Sequence, residues 1–237
     1  MCQRLLFVMI TSLLLAGCAH EGQSAYIAPE DTVRAAQLNV QLGMTYLQNQ
    51  QMALAKQKLL KAVALDPTLP DAHYSLGYYF ETVGQTQDAQ REYQTALKLA
   101  PDNAEVLNSY GVFLCKIKQY AQADHYFQKA IAEIDYTDVG VAYQNAGLCS
   151  IDAGKSKQAA DYFIQAIRQN PKLATSHLKL AELRYAQQNY TQATLNLQQY
   201  HQLAQPTAES LQLAIQLAQQ TGDQSEVASL TLQLQSL

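Results

Sequence analysis

Leu42-Gly43-Met44-Thr45-Tyr46, Leu76-Gly77-Tyr78-Tyr79-Phe80 and Tyr110-Gly111-Val112-Phe113-Leu114 are versions of one phrase, and their glycines stand 34 residues apart at each step. A second set of positions keeps the same spacing: Ala55, Leu59, Ala62 and Pro67; then Ala89, Tyr93, Ala96 and Pro101; then Ala123, Phe127 and Ala130. Gly147 continues the series with Ala159, Phe163, Ala166 and Pro171. Its step from Gly111 is 36, so two extra residues sit in the connection around Ile134 to Val139, which also lacks the usual Pro. A weaker fifth unit runs through Leu180, Ala181, Ala193, Leu197 and Tyr200, with Ala in the Gly position, and a sixth through Leu211, Ala214, Ala218, Gly222, Val227 and Leu234.

Self-similarity at a fixed period identifies a stack of small units, each burying its apolar face on its neighbours. Small, large and small residues at these offsets are the marks of two tightly packed helices, with Pro closing one unit and opening the next. Composition agrees. Only 10 Gly and 6 Pro against 33 Gln, with abundant Ala and Leu, favour helix over a turn-rich β architecture. A hydrophobic share of 48% with net charge −4 excludes a disordered chain and leaves no basic footprint for nucleic acid. Over about residues 35–237 the pattern resembles the tetratricopeptide repeat. The resemblance implies an all-α, right-handed superhelix of about six helix pairs, with units near 36–69, 70–103, 104–139, 140–173, 174–207 and 208–237. First helices would line its concave face.

The N-terminus reads differently. Arg4 precedes an apolar run from Leu5 to Ala16, too short to span a bilayer and typical of a secretory signal. The run ends in Leu15-Ala16-Gly17-Cys18, which resembles the bacterial lipobox. That resemblance implies removal of residues 1–17 and lipidation of Cys18, with residues 18–34 as lipidated N-terminus and tether. Ala19 and His20, rather than Asp, follow the Cys, which implies the outer membrane as destination. The protein would then be lipid-anchored and face the periplasm.

Motifs for catalysis are missing: no H-E-x-x-H, G-x-S-x-G, P-loop or G-x-G-x-x-G occurs. The expectation is a protein that is not an enzyme and needs no cofactor, metal or small-molecule substrate. His73 and His177 both fall at the fourth position of a unit, where packing explains them better than metal ligation. Once Cys2 leaves with the signal and Cys18 carries lipid, Cys115 and Cys149 remain in an oxidising compartment. They occupy similar places on first helices of neighbouring units three and four, so a disulfide is geometrically plausible. Two buried small hydrophobes are the alternative.

Inward positions of the first helices are the candidate binding surface. Unit one offers Val40, Met44 and Leu47, and unit two offers Tyr74 and Tyr78, an apolar and aromatic stretch suited to an amphipathic or extended partner segment. The competing reading is that Tyr74 and Tyr78 only pack against the adjoining unit.

The lipobox at Cys18, the short tether, six repeat units, Asp138 to Tyr143 opening unit four as Asp-x-Gly-x-Ala-Tyr, and the Cys pair together resemble the PilF/PilW-type outer-membrane lipoproteins. The resemblance implies a pilotin of type IV pilus biogenesis that helps the outer-membrane secretin localise and form its multimer. A general envelope scaffold, serving β-barrel insertion or cell-wall synthesis complexes, is the alternative that the repeat pattern leaves open.

Overall fold

A computed structural model describes residues 29–237. The signal run, Cys18 and all but the last six residues of the expected tether lie outside the described residues. Helices among the described residues pair in chain order: α1 (Pro29–Gln48) with α2 (Met52–Leu65), α3 (Pro70–Thr82) with α4 (Thr86–Leu99), and α5 (Ala104–Lys116) with α6 (Tyr120–Ala132). They continue as α7 (Val139–Asp152) with α8 (Ser156–Gln169), α9 (Ala174–Ala186) with α10 (Tyr190–Leu203), and α11 (Ala208–Thr221) with α12 (Gln224–Gln235). Every first helix packs on its own partner, and every second helix packs on the first helix of the next pair. The result is the all-α stack of six pairs that the repeat predicts, with no strand among the described residues.

Glycine sets how closely the helices of a pair approach. A Cβ at Gly111 would stand 2.7 Å from the Phe127 ring, and one at Gly147 would stand 2.7 Å from the Phe163 ring. Gly43 meets Leu59 and Gly77 meets Tyr93 in the same way. All four partner side chains are wholly buried. In the fifth pair Ala181 takes the glycine's place and joins Leu197 in a shared cluster with Leu178, Leu213 and Leu217.

The turn inside each pair needs one left-handed residue, always at the same place. Gln50, Gly84, Lys118, Gly154, Gln188 and Gly222 adopt it, with φ between 58° and 79°. At the three non-glycine positions this conformation costs about 1 kcal/mol each.

One expectation is corrected. α1 begins at Pro29, so residues 29–34, assigned above to the tether, are helical. Proline suits the first helical position because its missing N–H has no partner to lose there, and Glu30 and Asp31 meet the positive end of the helix dipole. At the other end α12 buries no residue, and Leu232 and Leu237 are exposed.

Gly111→Ala should be destabilising by about 1–3 kcal/mol, because Phe127 has no room to retreat. For a chain of this size, thermal unfolding should then shift downward by roughly 2–4 °C per kcal/mol. An unchanged melting temperature would refute the close-approach account.

Candidate partner-binding groove

α1 and α3 lie side by side and open a cleft of about 350 Å³ between them. Met44, Leu47 and Gln48 from α1 and Tyr74, Tyr78 and Thr82 from α3 line it. Four of the five sequence-proposed residues therefore share one cavity. Val40 is half-buried one turn nearer the start of α1 and does not line the cleft.

The four play different parts. Leu47 is a core residue at 7% exposure and forms the floor. Tyr74 is half-buried: its ring packs 6.2 Å from that of Tyr93, and its hydroxyl lies 3.3 Å from Ser109 Oγ on α5. Burial pushes its phenol above the ordinary range, so it stays neutral. Tyr78 is 40% exposed and Met44 half-buried, so these two present apolar surface that neighbouring units leave uncovered. Packing within the stack accounts for Leu47 and for much of Tyr74 and leaves Tyr78 open.

Beyond Tyr78 the groove turns polar. Glu81, with its side chain only 8% exposed, accepts from the Tyr93 hydroxyl at 2.7 Å and pairs with Lys116 on α5 at 2.5 Å. Burial, with the Glu81 charge beside it, drives the Tyr93 phenol far above its ordinary range.

The fourth-position histidines are fasteners. His73 Nε2 lies 2.9 Å from the Pro67 carbonyl and Nδ1 2.7 Å from Glu92 Oε2, so both nitrogens face acceptors and the imidazolium is favoured. The hydrogen bond to Glu92 is the main cause that raises its pKa, against the opposing effect of burial. His177 repeats the contact, 3.0 Å from the Pro171 carbonyl, but Asn196 stands where Glu92 stands in unit two. Among the described residues, no cluster of three or more His, Cys, Asp or Glu side chains has metal-binding geometry.

Cys115 and Cys149 come together between α5 and α7, with their Cα atoms 5.8 Å apart. The same junction carries a hydrogen-bond network that the sequence reading missed. The Tyr162 hydroxyl donates to Asp124 at 2.6 Å, Gln128 Nε2 donates to that hydroxyl at 2.6 Å, and Gln158 Nε2 reaches Asp124 at 3.1 Å. Gln128 and Tyr162 lie one unit apart, but polar residues at such positions are indistinguishable in sequence from an ordinary solvated face.

Paired helices, a glycine-set spacing and a concave face with an apolar cleft define a tetratricopeptide repeat protein. Residues 36–69, 58–91, 92–125 and 151–200 match models described as tetratricopeptide repeats. The type IV pilus assembly protein PilF of Pseudomonas aeruginosa is 33% identical over 235 residues, covering 99% of this chain and 93% of the relative. The chain belongs to that family. A solved structure of Pseudomonas aeruginosa PilF superposes with a TM-score of 0.82 at 34% identity, over 86% of this chain and 92% of that one. PilW, described as a widely conserved type IV pilus biogenesis factor, superposes at 0.76 with 26% identity, over 85% and 92% of the two chains.

His73 should make the stability of the fold depend on pH. A pKa raised in the folded state stabilises fully below the unfolded value near 6.5, and that stabilisation is lost as pH rises through the folded value. Thermal unfolding between about pH 5.5 and about pH 8.5 should show this loss in the parent protein and not in Glu92→Gln. An identical pH profile for both would overturn the imidazolium assignment.

Proposed function

We propose that the protein is a non-enzymatic scaffold of type IV pilus assembly, held by lipid on Cys18 in the outer membrane with its repeats in the periplasm. There it helps the pilus secretin reach that membrane and form its multimer. The observation that carries this reading is the similarity to a pilus assembly protein along nearly the whole length of both chains. The lipobox ending in Cys18 supports the anchor. Within the repeat domain, the cleft between α1 and α3 is the surface we assign to an apolar segment of the secretin, with Met44 and Tyr78 as its contacts and Leu47, Tyr74 and Val40 as its support.

Two variants test anchor and groove separately in cells that assemble pili. Cys18→Ser should leave the protein in the periplasm, or stalled with its signal attached, and misplace the secretin. Met44→Ala with Tyr78→Ala should keep the membrane location and helicity but weaken secretin binding. Truncating such an anchor costs ~2 kcal/mol, roughly thirtyfold in affinity. Tyr78 is preferred to Tyr74 because Tyr74 also ties α3 to α5. Normal secretin multimers in both strains would overturn the proposal.

We also propose that Cys115 and Cys149 are bridged in the mature protein. Closing a loop of 34 residues stabilises by roughly 4 kcal/mol in the chain-entropy model. Thiol titration of unreduced, denatured protein should find neither cysteine free, and reduction should lower the melting temperature without abolishing helicity. Two titratable thiols would refute the bridge.

A further inference from the structure

The connection between α6 and α7, residues 133–138, is six residues long where the other connections between pairs have four. With the start of α5 and the first turn of α7 it encloses a cleft of about 890 Å³ on the concave side, larger than the one between α1 and α3. Tyr74 touches both clefts, and no other side chain does. Five carboxylates line the larger one, Asp102, Glu105, Glu133, Asp135 and Asp138, and no Lys, Arg or His does. None of the five is ion-paired among the described residues.

Two further features point to an occupant. Ile134 is 97% exposed at the edge of this cleft, the most exposed large apolar side chain among the described residues. Asn108 is more than nine-tenths buried and lines the cleft; its Oδ1 accepts from Asn145 Nδ2 at 3.1 Å, while its own Nδ2 keeps access to solvent and has no acceptor among the described residues. Tyr136 supplies a half-buried ring beside them, its phenol pushed up to about 12 chiefly by burial and then by the Asp138 and Glu105 charges. The carboxylates do not converge as metal ligands do, which argues against a bare cation as the occupant.

From this arrangement we infer that the α5–α7 cleft docks an extended protein segment carrying a lysine or arginine beside an apolar residue. The cation lies among the carboxylates, where charge complementarity is otherwise unmet. The apolar side chain covers Ile134 and Tyr136. A backbone carbonyl of the segment accepts from Asn108 Nδ2, which has no acceptor among the described residues. The site shares only Tyr74 with the apolar cleft between α1 and α3, and its charge chemistry does not depend on what that cleft binds.

The test uses the detergent-solubilised full chain and short end-blocked peptide mixtures, with randomised flanks and a central leucine followed by lysine, arginine, glutamate or norleucine. Fluorescence anisotropy should show binding of the lysine and arginine mixtures above the other two, weakening as salt rises from about 50 to about 500 mM. Glu105→Gln with Asp138→Asn should weaken binding of the basic mixtures about fivefold, as expected for two exposed ion pairs. Ile134→Ser should weaken all four mixtures. The substituted side chains of the cleft are exposed, so circular dichroism should stay unchanged. Basic mixtures that bind no better than norleucine, or a preference for them that survives Glu105→Gln with Asp138→Asn, would overturn the inference.

Discussion

A helix pair of 34 residues cannot enclose a core of its own, so the whole molecule depends on how closely the helices of each pair approach. Gly43, Gly77, Gly111 and Gly147 set that distance by letting a large side chain of the second helix rest on bare backbone. Because the partner side chains are wholly buried, each contact fixes its pair as a rigid wedge. Rigid wedges stack at a repeated angle, and the concave face follows from the stacking. The core from Leu47 to Tyr162 is accordingly one continuous cluster, while smaller clusters serve the later pairs.

Along that concave face the chemistry changes in steps. Met44 and Tyr78 present apolar surface at the N-terminal end, Glu81 and Lys116 follow as a bonded pair, and the α5–α7 cleft ends the series with unpaired carboxylates. A buried carboxylate such as Glu81 is tolerated because the Tyr93 hydroxyl and the Lys116 ammonium both satisfy it. The carboxylates of the larger cleft have no such partners and stay solvated. One surface thus separates interactions the fold requires from groups left free to meet another molecule.

Much of the fold was legible because its signal is periodic. The glycine, the large residue sixteen positions later and the closing proline recur, and each has a steric meaning that survives without coordinates. The left-handed turn residue was hidden, since Gln50, Lys118 and Gln188 hold a conformation that Gly84, Gly154 and Gly222 adopt more easily, and no residue type marks the position. The start of α1 lies inside the stretch read as tether, residues 18–34, although a proline such as Pro29 equally opens a helix. The groove was partly legible. Inward positions could be counted from the repeat, which found Met44, Leu47, Tyr74 and Tyr78, but the depth of each side chain is a tertiary quantity. The α5–α7 cleft was visible only as two surplus residues, because the path of an irregular connection is set by what it packs against.

The junction of the third and fourth pairs shows how a solenoid absorbs such an irregularity. Neighbouring pairs are coupled only through their shared interface, so a longer connection weakens the constraint on how one is placed against the next. Here the interface carries the approach of Cys115 and Cys149, the Tyr162–Asp124 bond with its two glutamines, and the Asn145–Asn108 bond, as Tyr74–Ser109 and Glu81–Lys116 span the junction before it. These contacts run between side chains on helices and leave the connection itself unpinned at Ile134. The stack therefore keeps its register without help from the Ile134 side chain, and the fold places no demand on that position that would require an exposed isoleucine among carboxylates. A side chain so placed adds nothing to the packing of the stack, and it stands beside carboxylates that are equally free to meet another molecule.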